Sequence, residues 1–273
     1  MFGPFTRKPV IETEVSTWIF QAFAWALRNF GSDVFYHNIQ LVTPTSRHFP
    51  ERANSAESLV ESTFLRVRKY ANLENWPCRI EAQERDPNPI IAPTVVLKGL
   101  PSGPAGTFSY ATESKEAVIT YNPDLVSQPE SLVATFAHEL AHYLGGIARE
   151  HPPGGEDYWE HVTDLVAVYL GFGIFLANSA FTFEQYADVG THGWRSGRQG
   201  YMSEYELTYA LALFCILKRI DSKEVLPHLD RHLRGFYKNS AGEILGSTEM
   251  PILKAIDVRV SDLNPGESLD SGP

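Results

Sequence analysis

Cysteine is scarce in this chain, and that narrows its chemistry. Cys78 and Cys215 are the two present; they lie far apart and neither belongs to a CxxC pair. Neither a disulfide framework nor a cysteine zinc site is indicated, and reduced thiols in a cytoplasmic protein are expected. Positive charge is short as well. Lys and Arg number 23 against 33 Asp and Glu, a formal net charge of -10. That balance argues against nucleic acid or an anionic membrane surface as the main partner. The stretch MFGPFTRKPVIETEV contains no continuous apolar run, and Glu12 and Glu14 put charge near its end, so no signal peptide is expected there. Internal repeats and low-complexity segments are absent. One long uncharged run does occur, Leu165 to Phe183, about the length that spans a bilayer. Gly171, Gly173, Asn178 and Ser179 break it, and Glu160 and Asp164 lie just upstream on the same expected helix. Buried helices are therefore expected rather than a membrane span. The GFG at 171–173 lacks the lysine and the preceding strand of a phosphate loop.

What is present suffices for a sizeable core: 43% of 273 residues are hydrophobic. Residues 13–30 read as an aromatic-rich amphipathic helix ending near Gly31, and 38–44 as extended chain. A second helix spans 54–73, capped by Asn54 or Ser55. Segments 78–83 and 90–100 read as strands, 101–106 as a turn, and TFSYATES with EAVITYN as a hairpin or meander. From Asp124 onward the pattern is helical, over 127–145, 157–171, 173–187, 203–220 and 222–237. This order implies an α+β fold with a small sheet in the first half packed on helices. One domain is expected over 1–257, its N-terminal helices and sheet in about 1–123 and its helical half in about 124–257, followed by a flexible tail at 258–273.

The chemistry concentrates in ATFAHELAHYLGG, Ala134 to Gly146. Ser127 and Glu130 have the spacing of a capping box, and Gly145-Gly146 supplies a stop. Between them Leu132, Phe136, Leu140 and Leu144, joined by Val133, Ala137 and Ala141, form an apolar stripe. His138 and His142 lie one turn apart on another face, where two imidazoles converge on one metal ion. Glu139 points about 100° away from His138, so it sits beside an ion and reaches a water there rather than the ion itself. This is the HExxH pattern of zinc metallopeptidases.

A catalytic zinc needs a third protein ligand and an open position. The Pro- and Gly-rich loop IAREHPPGGED lets the chain reverse into YWEHVTDLVAVYLG. Glu160, His161 and Asp164 lie within one turn of that helix, and all are geometrically eligible; Glu160 and Asp164 share a face.

HExxH, a short connection and then ExxxD resemble the gluzincin group of zinc metallopeptidases, over about residues 127–171. The resemblance implies a zincin-like fold and zinc on His138, His142 and Glu160. It also implies Glu139 as the general base that takes a proton from metal-activated water, and Asp164 bracing a zinc histidine. The implied activity is peptide-bond hydrolysis, with a peptide or protein as partner; the acidic balance and the broken apolar run argue separately against nucleic acid and a membrane. No G-x-M-E-N exopeptidase motif precedes the zinc helix. The competing expectation is a non-catalytic regulatory or interaction protein that keeps the fold and a structural zinc.

Two further features bear on a site. EAVITYN, just before the zinc helix, fits either an edge strand that pairs with extended substrate or an ordinary core strand. The loop THGWRSGRQGY offers Tyr201, His192 or Arg195 as transition-state stabilisers. The remaining histidines, His37, His48, His151, His228 and His232, are expected to be structural or solvated.

Overall fold

The computed structural model describes residues 8–84, 90–92, 95–96, 105–111, 116–187 and 202–259. Helix α1, Thr13–Phe30, falls where the aromatic periodicity placed it, and Gly31, at φ 87°, ends it. Its Ile19, Phe23, Trp25, Ala26 and Leu27 are buried. A short α2, Ser32–His37, follows; the sequence pattern gave no hint of it. Residues 38–44 form no strand. They pass the junction of two later helices and bond there through Val42. Helix α3, Ala56–Tyr70, is capped by Ser55, whose side chain accepts from the Ser58 amide.

The sheet is small. Strand β1, Cys78–Ala82, precedes a two-stranded ribbon of β2, Ile90–Ala92, and β3, Val95–Val96. Strands β4, Gly106–Ala111, and β5, Glu116–Tyr121, then pair antiparallel, with Phe108 opposite Ile119. β1 joins the other side of β5 in parallel register, Cys78 opposite Ala117, giving the order β1-β5-β4. EAVITYN is thus the central strand, and β4 is an edge among the described residues.

Helix α4, Pro129–Gly145, is the hub of the fold, packed against α3, β4 and β5 and against two further helices. Those are α5, Trp159–Ala167, and α6, Gly173–Ala187. The expected apolar stripe of α4 is present, but burial runs round most of the helix and includes Thr135, His138 and Glu139. Its expected capping box does not form. Asn122 instead caps a 3-10 turn over Pro123–Ser127, and the Ser127 hydroxyl donates to the Asp124 carbonyl at 2.9 Å. Pro129 holds Gln128 out of helical geometry, at φ -128° and ψ 74°, so α4 starts after it with no side-chain cap.

α5 and α6 are joined by one π turn, Val168–Phe172. The helical run Glu156–Ala180 is long and apolar enough to cross a membrane by length and composition, and 94% of its window is buried inside the fold. It kinks at Gly171, φ 98°, whose carbonyl accepts from the Val42 amide at 3.0 Å. A Cβ on Gly171 would stand 2.0 Å from the Gln40 carbonyl oxygen, so only glycine permits that passage.

Helix α7, Glu204–Lys218, begins with a Ser203–Glu206 capping box. The single helix expected over 222–237 is broken. α8, Ser222–Val225, gives way to a 3-10 turn containing Pro227, and Leu229 is extended at ψ 145°. Proline lacks the amide that would continue the ladder, so a new helix, α9, Arg231–Leu245, starts beyond it. α10, Met250–Lys254, closes the helical half. The Val258 carbonyl, at the first residue of the expected tail, accepts from the Ser32 and Asp33 amides at the start of α2. Residues 260–273 lie outside the described part.

Candidate metal centre

α4 presents His138 and His142 one turn apart, and α5 crosses it with Glu160, Thr163 and Asp164. The chain between the two helices is held by α1. Trp18 Nε1 donates to the Pro153 carbonyl and Trp25 Nε1 to the Glu150 carbonyl, both at 2.8 Å. Asn29 Oδ1 accepts from the amides of Arg149 and Glu150. Gly154 and Gly155 take φ of 94° and 76° and turn the chain back, with Gly154 against the Tyr158 ring. Trp159 packs on Gly145, closing the end of α4 against the start of α5.

Three ligand atoms converge. His138 Nε2 and His142 Nε2 are 3.1 Å apart. Glu160 Oε2 lies 3.2 Å from the first and 3.4 Å from the second. The group could hold a metal ion. Glu160 is half exposed as a side chain, yet its Oε2 is buried and accepts no well-formed hydrogen bond. A buried carboxylate oxygen in that state is costly, and a cation at the meeting point relieves it.

The far nitrogens of both rings are engaged. His138 Nδ1 is 2.9 Å from Asp164 Oδ1, and Asp164 Oδ2 accepts from the Met202 amide at 2.8 Å. Asp164 thus ties α4 and α5 to the start of α7. His142 Nδ1 is 3.3 Å from Thr163 Oγ1. His161, eligible from spacing, turns instead toward the rings of Trp18 and Tyr158.

The electrostatics favour positive charge here. Burial lowers the proton affinity of His138, but its hydrogen bond to Asp164 and the nearby Glu160 carboxylate more than reverse this and hold its pKa well above 6.5. Burial raises Glu160, but the two histidine rings beside its carboxylate outweigh that and hold it far below 4.5. Both shifts have one cause, the close approach of the two rings to carboxylates.

Glu139 is not one of the converging ligands. It is 5% exposed, and burial pushes its carboxyl above 4.5 against the pull of His138 and His142. It lies under the first residue of β4: a Cβ on Gly106 would be 2.8 Å from Glu139 Oε1 and 2.6 Å from Thr135 Cγ2. Farther along β4, the Phe108 ring stacks near His142, with centroids 6.5 Å apart. β4 therefore runs past Glu139 and His142.

Of the residues singled out from sequence, His138, Glu139, His142, Glu160 and Asp164 come together. Tyr201, His192 and Arg195 lie outside the described residues. Sequence reasoning missed Thr163, Gly106 and the α1 side chains that hold the 149–153 connection. The one signal available was a hydroxyl within the ExxxD turn. Comparison with family models, curated proteins and solved structures returns no match to this chain.

Proposed function

We propose that this protein is a zinc-dependent peptidase of zincin-like fold. The observation that carries the reading is the ligand triangle, with edges of 3.1, 3.2 and 3.4 Å, beside a buried glutamate. Tetrahedral zinc with bonds of about 2.0–2.1 Å places its ligand atoms about 3.3–3.4 Å apart. Two imidazoles and one carboxylate suit zinc, whereas calcium takes about 6–8 oxygens at longer range. His138, His142 and Glu160 would hold the ion, and a fourth position remains for water or substrate.

Zinc bound there polarises a carbonyl and acidifies water. The chain supplies the rest. Glu139, whose proton affinity burial raises, can accept a proton at its carboxylate and return it to a leaving amine. Asp164 and its Met202 amide fix the His138 ring. The outer edge of β4 offers backbone groups to an extended peptide, which favours a peptide substrate. A structural zinc site has no use for a buried base, and Glu139 therefore favours catalysis over the regulatory reading.

The test joins metal analysis to digestion of an unfolded protein mixture. About one zinc per chain is expected, with cleavage by wild type and none by Glu139→Gln, which keeps its zinc. Glu160→Ala should lose most zinc affinity, Asp164→Ala about 10–100-fold, and His161→Ala little. Wild-type affinity in Glu160→Ala overturns the ligand set. A zinc-loaded wild type that cleaves nothing moves the reading to the regulatory class.

A further inference from the structure

The two histidines are braced by different chemistry. His138 leans on a carboxylate, whereas His142 Nδ1 has Thr163 Oγ1 at 3.3 Å. A neutral imidazole carries one N–H, and which nitrogen bears it decides whether Nε2 keeps its lone pair for a metal. Thr163 settles this by its own bonding. Its hydroxyl donates to the Trp159 carbonyl at 2.9 Å, one turn back on α5. A hydroxyl has one proton, so Thr163 Oγ1 meets His142 Nδ1 as an acceptor. The His142 proton is then drawn to Nδ1, and Nε2 faces His138 Nε2 and Glu160 Oε2 with its lone pair free. The opposite arrangement turns the hydroxyl off the Trp159 carbonyl and points an N–H into the ligand triangle.

We propose that Thr163 is a positioning residue for the metal centre, one that fixes the tautomer and ring orientation of His142 through the Trp159 carbonyl. This rests on the metal reading above. Thr163 is 2% exposed and stands between Val162 and Asp164, both buried, so its side chain has no solvent to bond instead. α5 thereby supplies a ligand and both braces within Glu160, Thr163 and Asp164. One rigid helix sets the whole approach to the two histidines.

The experiment uses the full chain with zinc and with cobalt(II). Thr163→Val keeps the volume and loses the hydroxyl; Thr163→Ser keeps the hydroxyl and loses the methyl. Affinities come from competition with a chelator, and the visible absorption of bound cobalt reports ligand geometry. Thr163→Val should bind zinc about tenfold or more weakly, as loss of a ligand's brace does, with an altered cobalt spectrum. Thr163→Ser should stay near wild type in both. A second measurement needs no variant: in zinc-loaded wild type the His142 Nδ1 proton should exchange slowly with water by NMR.

Wild-type affinity and spectrum in Thr163→Val overturn the proposal and leave the metal reading standing. Equal losses in Val and Ser variants assign the effect to packing and overturn it too. Rapid exchange of the Nδ1 proton does the same, and decides the matter if Thr163→Val does not fold. A wild type that binds neither ion overturns the metal reading and this proposal with it.

Discussion

On the peptidase proposal, Gly106→Ala separates Glu139 from His138, His142 and Glu160. The added methyl carbon meets Thr135 Cγ2 at 2.6 Å, Glu139 Oε1 at 2.8 Å and the Thr120 carbonyl oxygen at 3.0 Å. Two of the three do not yield easily. Thr120 is backbone of the central strand, and Thr135 is fully buried with its hydroxyl bonded to the Ser131 carbonyl at 2.9 Å. The compliant response is a lift of β4 from α4 or a rotation of Glu139. Overpacking of this kind costs about 1–3 kcal/mol. For a chain of this size that lowers Tm by about 2–12 °C. A base displaced by about an ångström loses up to about 100-fold in rate. His138, His142 and Glu160 are not among the three nearest contacts of the new methyl, so zinc affinity should hold. The assay is thermal melting, chelator competition and peptide hydrolysis on one preparation. Adding Thr135→Ser removes the nearest clash and should recover part of the Tm, with activity still low because Glu139 Oε1 is still crowded. Gly106→Ala with wild-type Tm and rate refutes the close approach of β4 to α4. Loss of zinc with the base still working refutes the division between base and ligands.

Two further outcomes are expected. The raised His138 stabilises the metal-free fold fully below 6.5 and loses that contribution as pH rises, while the depressed Glu160 contributes fully above 4.5 and loses it as pH falls. Zinc displaces the proton, so its Tm increment should be larger at pH 8 than at pH 6 by thermal shift; an equal or smaller increment at pH 8 counts against a shared ligand site. Gly171→Ala puts a Cβ 2.0 Å from the Gln40 carbonyl at φ 98°, so it should lower Tm more than Gly106→Ala does; a milder effect would mean that α5 and α6 need no kink there.

The parts of the site that sequence made legible are those set by local periodicity. His138 and His142 are one turn apart on any helix, and Glu160 and Asp164 likewise, so their grouping survives every error in the boundaries. α1, α3 and the β4–β5 hairpin were legible for the same reason, a repeated pattern over many residues. The failures are competitions settled by proline or by distant chain. Pro129 and Pro227 overrode a cap and a helix that periodicity alone favoured. Val258 bonding Ser32 joins residues 226 apart, which no window along the chain detects. The central place of β5 depended on β1 joining it in parallel across the intervening β2–β3 ribbon and β4, and pairing partners are not written in a strand's own composition. Thr163 escaped because its role depends on which way one hydroxyl proton points.

The hold of α1 on the 149–153 connection has a consequence for synthesis. Trp25 and its partner Glu150 are 125 residues apart, so the ribosome makes one long before the other. At about 5–20 residues per second, α1 waits about 6–25 s for that loop. During this interval α1, with Ile19, Phe23 and Leu27 on its apolar face, lacks α5, α7 and α10, which later pack on it. Glu160 follows the loop, so the nascent chain cannot bring His138, His142 and Glu160 together early, and an ion held there would be taken up only after Glu160 is made.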